Sequence, residues 1–492
     1  MNYQSTRGGE TGVSPSLAIL KGLAADGGLF VPEELPRLDG RPEDFRELSY
    51  QETAYRVMKQ FFTDFTEEEL RCCVAAAYDG KFDTASIAPL EKRDGCYFLE
   101  LFHGRTIAFK DMALSILPHL MVTSARKNGV EDRIVILTAT SGDTGKAAMA
   151  GFQDVPGTEI IVFYPKDGVS RFQELQMRTQ NGGNTHVSAI LGNFDDAQTG
   201  VKQIFGDKAF RERLKRRGLI LSSANSINIG RLIPQVAYYV YAYAQLLSSG
   251  ELENGEEINV CVPTGNFGNI LAAKLAKEMG IPIAKLLCAS NENRVLTDFF
   301  RDGIYDRNRP FLLTSSPSMD ILLSSNLERL LYLSAGRNSE KTAALMRELG
   351  AEGRYRVDDR MRDFMGDFYG GCAAEPEVFA CIRALYEKSG YVIDPHTAVA
   401  KAVYDRYRSE TGDRRKTVIA ATASPFKFAP AVMQALSEDC GDGDIFRLID
   451  RLSEISGVVE PEAVREVRNA PLRHDTVSAV AEMEKTVEGF LR

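Results

Sequence analysis

The stretch "RIVILTATSGDTGKAAMA", residues 133–150, passes from an unbroken apolar run through a polar, glycine-bearing turn into a run of small helix-forming residues. The same grammar recurs along the chain. From about residue 131, the apolar runs "EIIVFYP", "NTHVSAI", "LILSSAN", "INVCVPTG", "AKLLCASN" and, much later, "TVIAATASP" alternate with amphipathic helical stretches. Such alternation implies parallel βαβ units. The near-continuous apolarity of the strands fits sheets covered on both faces. The fold class is therefore α/β with parallel-sheet domains. Residues 1–88 carry helical signals instead, including Thr66 and Glu69 at capping-box spacing, and predict an N-terminal helical domain. Residues 89–440 form the main region, with a smaller α/β subdomain at about 125–235; residues 441–492 read as a C-terminal helical extension. The charged stretch 300–390 reads as mostly helical, and Asp394 with Pro395 opens another helix as N-cap and first-turn residue.

At 492 residues the chain exceeds what one hydrophobic core usually supports. Its net charge of −9 opposes nucleic acid or an anionic membrane as the main partner, so an anionic ligand needs a local positive pocket. The eight cysteines, at 72, 73, 96, 261, 288, 372, 381 and 440, show no CxxC and no metal-ligand spacing. Reduced thiols in a cytoplasmic protein are the simplest expectation, and "MNYQSTRGGETG" lacks the apolar core of a signal peptide. The apolar stretch 232–247 is too short to span a bilayer and predicts a buried or interface helix.

Four places can carry chemistry. In "ELFHGRTIAFKDMALSIL", residues 100–117, Lys110 is set in a largely apolar run. Its amine either snorkels to water or pairs with Asp111, or it is desolvated so that the neutral form can make a Schiff base. The turn "TSGDTG" aims backbone N–H groups at an anion, but it is not a nucleotide P-loop: Thr140 stands where the first glycine belongs, and Ala147 replaces the metal-binding hydroxyl. The turn Gly265, Asn266, Phe267, Gly268, Asn269 after "INVCVP" allows close backbone approach, and its following helix N-terminus favours a phosphate. Finally, "VIAATASPFKF" ends a strand in the hydroxyl residues Thr422 and Ser424, where α/β sheets place ligands.

An apolar-embedded lysine, a phosphate cradle and a second anion-binding turn together suit pyridoxal 5′-phosphate holding an anionic substrate. The motifs "LELFHGRTIAFKD", "ILTATSGDTG", "SANSINIGRLIPQ", "PTGNFG" and "DPHTAVA" resemble, in the same order, those of the threonine synthases of the bacterial and fungal type, which are fold-type II (tryptophan synthase β-like) pyridoxal-phosphate enzymes. The resemblance runs from "GLAADGGLFVP" to "TASPFKF". It implies that Lys110 bonds the cofactor, that Gly265, Asn266, Phe267, Gly268 and Asn269 hold its phosphate, and that Thr422 lies against the pyridine nitrogen. It further implies that Ser141, Gly142, Asp143 and Thr144, with Asn228 and Arg231, bind the anionic groups of O-phospho-L-homoserine, in a monomer or homodimer. Arg231 has a rival role as an ordinary helix-start arginine. Three residues depart from the family pattern: Arg105, Lys146 and Ser424. Lys146 reads as solvated on the first helical turn.

Overall fold

Each of the seven alternating apolar runs contains a strand in the computed structural model, which describes residues 1–436 and 444–492. Two sheets result. The larger has the order Phe368–Cys372, Ile283–Ser290, Ile258–Pro263, Thr417–Ala421, Cys96–Glu100, Leu90–Arg93, parallel except for the last hairpin. The smaller is parallel throughout, in the order Val477–Ala479, Thr185–Leu191, Thr158–Pro165, Arg133–Ala139, Leu219–Ser222.

Side chains of a strand alternate between faces, and here both faces are covered. Val418 and Ala420 enter one core while Ile419 and Ala421 enter another on the opposite face. In the smaller sheet Ile134 and Ile136 face inward, and Val135 and Leu137 pack beneath the C-terminal residues Met483 and Val487. Helices Gly268–Met279 and Pro395–Thr411 pack on the larger sheet. The 232–247 stretch becomes the buried helix Pro234–Ser248. Among the described residues no helix is long and apolar enough to cross a membrane, and no group of His, Cys, Asp or Glu could hold a metal ion.

The domain outline differs from expectation in three places. Residues 1–88 hold helices Pro15–Lys21, Tyr50–Phe61 and Glu67–Ala77, the last with the anticipated Thr66–Glu69 capping box, but also the antiparallel pair Tyr3–Ser5 and Phe30–Pro32. Their apolar side chains join the same core as the sheets. The C-terminal segment is not wholly helical, because Val477–Ala479 adds an edge strand to the smaller sheet; the boundary at 440/441 and Cys440 lie outside the described residues. Within 300–390, Phe368–Cys372 is a strand and Ile304–Asp306 pairs with Arg354–Arg356. The glycines of "FYGGC" look like a break in the sequence, but they permit close packing: a Cβ at Gly370 would meet Thr297 O at 2.9 Å, and one at Gly371 would meet Val403 at 2.6 Å.

Because the strands are parallel, the residues following Cys96–Glu100, Ile258–Pro263 and Thr417–Ala421 all emerge at one edge of the larger sheet. Just past the first of these strands His103 lies between Asp83 Oδ1 at 2.6 Å and Glu100 Oε2 at 2.9 Å. Burial opposes its charge, but the two carboxylates outweigh burial and raise its pKa to about 9. The folded form thus binds a proton more tightly than the unfolded chain, so this stabilisation is complete below about pH 6.5 and is lost as pH rises through about 9. His103→Gln should therefore cost on the order of 2 kcal/mol at pH 6 and little at pH 10, read from urea midpoints at the two pH values.

Candidate active site

Lys110 is fixed by its backbone before its amine is considered. Phe109 N–H donates to Thr422 O at 2.8 Å, Ser424 N–H donates to Ile107 O at 3.0 Å, and Ala108 bridges Ala423. The segment before the lysine is thereby tied to the residues that close strand Thr417–Ala421, and Ile107 is held at a left-handed φ of 51°.

 A β-branched residue adopts such backbone only where its surroundings impose it, and at Ile107 the three ties to residues 422–424 do so.

The amine itself does not reach water or Asp111. Lys110 is 8% exposed, and its Nζ donates to Asp143 Oδ2 and to Ser318 Oγ, each at 3.1 Å. Asp111 turns away and accepts from Thr106 N–H at 2.7 Å and Thr106 Oγ1 at 2.6 Å. Burial lowers the Lys110 pKa, Asp143 partly opposes this, and Arg231 and Lys427 reinforce it. The amine thus gives up its proton more readily than a lysine in water would. Asp143 is the counterpart: burial disfavours its carboxylate, but Lys110 and Lys427 hold its pKa well below the usual range. Gln173 Nε2 donates to its Oδ1 at 2.8 Å, and Lys427 Nζ lies 3.3 Å from the same oxygen.

The "TSGDTG" turn is more committed than its sequence implies. Thr140 Oγ1 accepts from the N–H groups of Gly142 and Gly145, both at 2.9 Å, so Gly142 offers no free donor. Gly142 also has φ 136°, and a Cβ there would meet the Gln173 amide at 2.5 Å. The N–H groups of Ser141, Asp143 and Thr144 find no acceptor among the described residues. The Asp143 side chain, being an anion itself, cannot receive an anionic substrate group.

The turn 265–269 is different. None of the five N–H groups from Gly265 to Asn269 finds an acceptor among the described residues, and the segment leads into the N-terminus of helix Gly268–Met279. Asn269 Oδ1 accepts from the Tyr238 and Tyr239 hydroxyls, and its buried Nδ2 has no partner among the described residues. A phosphate at this helix N-terminus would satisfy these orphaned donors. A Cβ at Gly265 would fall 2.4 Å from Ser318 O, so the turn packs directly on the residue that contacts the lysine. At Gly268 a Cβ would meet nothing nearer than Asn326 Nδ2 at 3.5 Å.

Of the other predicted residues, Arg231 joins the site and Asn228 does not. Asn228 caps helix Ile229–Leu232, accepting from Gly230 N–H at 2.9 Å and donating to Ile19 O at 3.0 Å. Arg231 is buried, donates to Ala224 O at 2.8 Å and has no carboxylate partner among the described residues; burial lowers its pKa to about 10. Thr422 stands beside Lys110 through the Phe109 bond. Lys146 is not solvated as expected: it is buried against Gln180 Oε1, and burial lowers its pKa to about 8. Ser424 caps the turn Pro425–Phe428. Ser318, Gln173 and Lys427 escaped notice, since polar residues in a charged helical stretch or a "PFKF" turn carry no local signal. His396 lay within a quoted motif but had no role assigned to it.

A buried lysine at the carboxyl edge of a parallel sheet, faced by a cradle of unpaired N–H donors, defines a pyridoxal-phosphate-dependent enzyme of the fold-type II class. The family "Pyridoxal-phosphate dependent enzyme" matches residues 85–423, flanked by "Threonine synthase N terminus" over residues 2–78 and "Threonine synthase, C-terminal" over residues 397–483. The chain belongs to the threonine synthase family. It is 38% identical over 469 residues to threonine synthase of Schizosaccharomyces pombe, covering 89% of this chain and 90% of that one. It is 43% identical over 434 residues to threonine synthase-like 1 of Homo sapiens, covering 86% of this chain but only 58% of that longer protein's length. Among solved structures it resembles pyridoxal-phosphate-bound threonine synthase from Brucella melitensis, with TM-score 0.86, 34% identity and full coverage of both chains. It also resembles yeast threonine synthase, with TM-score 0.88, 33% identity, and coverage of 100% of this chain and 98% of that one.

The two glycines of the phosphate turn should respond differently to a methyl group. Gly265→Ala should strip the cofactor, because the added atom collides with Ser318 backbone, whereas Gly268→Ala should retain it. Pyridoxal phosphate remaining after gel filtration, measured by visible absorbance, distinguishes the two variants.

Proposed function

We propose that the protein converts O-phospho-L-homoserine and water to L-threonine and phosphate. Bound pyridoxal 5′-phosphate supplies the electron sink that stabilises carbanions next to the substrate nitrogen. The observation that carries the reading is the buried Lys110 amine, held between Asp143 and Ser318 and close to the free donors of the 265–269 turn.

The residues divide the work as follows. The five N–H groups from Gly265 to Asn269 hold the cofactor phosphate, and Asn269 Nδ2 adds a sixth donor. Thr422, whose carbonyl accepts from Phe109 N–H beside Lys110, would offer the pyridine nitrogen of a bound cofactor a neutral hydroxyl rather than a carboxylate. The freed Lys110 amine removes the proton from substrate Cα and later returns one, a role suited to an amine whose pKa burial lowers. Asp143 and Ser318 keep that amine aimed between transfers. Arg231, a buried cation lacking a counter-ion among the described residues, receives an anionic substrate group together with the free N–H groups of Ser141, Asp143 and Thr144. Burial of the whole basin excludes bulk water, so that a single water adds at Cβ. The protein acts in the cytoplasm on this small substrate.

Incubation with O-phosphohomoserine should yield threonine and phosphate in equal amounts. A product pool of 2-oxobutyrate, ammonia and phosphate would instead assign the protein to the phospho-lyases. Borohydride reduction followed by peptide mapping should place the pyridoxyl group on Lys110. Arg231→Gln should keep the cofactor while lowering kcat/KM by roughly 10- to 100-fold, measured by phosphate release.

A further inference from the structure

The contacts of Ser318 raise a question that the reaction leaves open, namely what holds this serine in place. Its hydroxyl donates to Asp143 Oδ2 at 2.8 Å and accepts from Lys110 Nζ at 3.1 Å. It lies in the three-residue turn Pro317–Met319, far in sequence from either partner and too short to hold itself. Its backbone N–H donates to His396 Nε2 at 3.2 Å.

His396 is in turn immobilised. It is 3% exposed, its ring packs against Phe428 with centroids 4.8 Å apart, and its Nδ1 lies 2.6 Å from Asp394 Oδ2. Because Nε2 accepts a backbone N–H, the ring hydrogen sits on Nδ1 and points at Asp394. Asp394 is fully buried and caps helix Pro395–Thr411, accepting from the N–H groups of His396 and Thr397 and from the Thr397 hydroxyl. Thr397 Oγ1 then accepts from Thr422 N–H at 3.3 Å. One capped helix end therefore supports both Ser318 and Thr422 from behind.

We propose that Asp394 and His396 are positioning residues: through the His396 Nε2 lone pair they fix Ser318, and so fix the aim of the Lys110 amine and Asp143. The proposal rests on Lys110 being the cofactor-bearing lysine. A histidine that served only to satisfy Asp394 would need its Nδ1 hydrogen and not its Nε2 lone pair.

Two substitutions separate these halves of the ring. His396→Asn can keep a donor for Asp394 but removes the acceptor for Ser318. His396→Gln can keep an acceptor near the Nε2 position and weakens the Asp394 contact. In the holoenzyme, His396→Asn should lower kcat roughly 10- to 100-fold, with KM for O-phosphohomoserine little changed, and should shift the visible band of the bound cofactor. His396→Gln should stay near wild type in both readouts. Ser318→Ala should reproduce His396→Asn, and the double variant should be no worse than either single one. Equal damage in His396→Asn and His396→Gln, damage in His396→Gln alone, or additive losses in the double variant would overturn the proposal. Circular dichroism melting checks folding. If His396→Asn does not fold, Ser318→Ala decides alone, and wild-type kcat and spectrum in that variant overturn the proposal. Should the wild-type holoenzyme fail to turn over O-phosphohomoserine, the threonine synthase reading fails, while the band shifts still test the positioning role.

Discussion

Removing the Lys110 ammonium from water is the constraint around which the rest of the molecule is arranged. An unpaired charge buried this deeply costs several kcal/mol even after the surroundings relax, and the structure offsets that cost with Asp143 and Ser318. Neither partner is local. Asp143 arrives at the start of the helix that follows strand Arg133–Ala139 of the smaller sheet, and Ser318 arrives in the turn Pro317–Met319. The lysine thus works only if both sheets are assembled and in register, which couples the amine's chemistry to the global fold.

The basin around it runs against the charge of the chain as a whole. Lys110, Lys427, Arg231 and Lys146 are all buried near Asp143 and Asp111, within a protein of net charge −9. Burial lowers the pKa values of Lys110 and Lys146, which weakens their hold on a proton, whereas Arg231, lowered only to about 10, stays charged. The positive charge that remains makes the local pocket that an anionic substrate and a cofactor phosphate require. The placement of Lys146 shows how easily this is misjudged from sequence: a lysine on a first helical turn usually reaches water, but helix Asp143–Phe152 is packed between the sheet and the Asp111–Leu114 turn, and the side chain has no exit.

Sequence and structure agree most closely where periodicity governs. The seven apolar runs are strands because their alternating side chains fill two cores at once, and the capping residues Thr66 and Asp394 act through hydrogen bonds within three residues of themselves. They diverge where identity is set by what lies opposite. "FYGGC" reads as a break but is a strand, because its missing side chains leave room for Thr297 and Val403. Val477–Ala479 reads as part of a helical tail but pairs with Thr185–Leu191.

The sequence alone determined the parallel α/β layout, the lysine in its apolar run, the glycine turn that opens helix Gly268–Met279, and the resemblance that tied them to one chemistry. These are local patterns, legible because strand and helix periods and turn residues act over a few neighbours. Only the tertiary structure decided which partners the lysine meets, that Asn228 serves as a cap while Arg231 stays a cation without a counter-ion among the described residues, and that His396 holds Ser318. Those outcomes depend on contacts between residues tens to hundreds of positions apart, and on the desolvation that such contacts create, neither of which any single stretch of chain encodes.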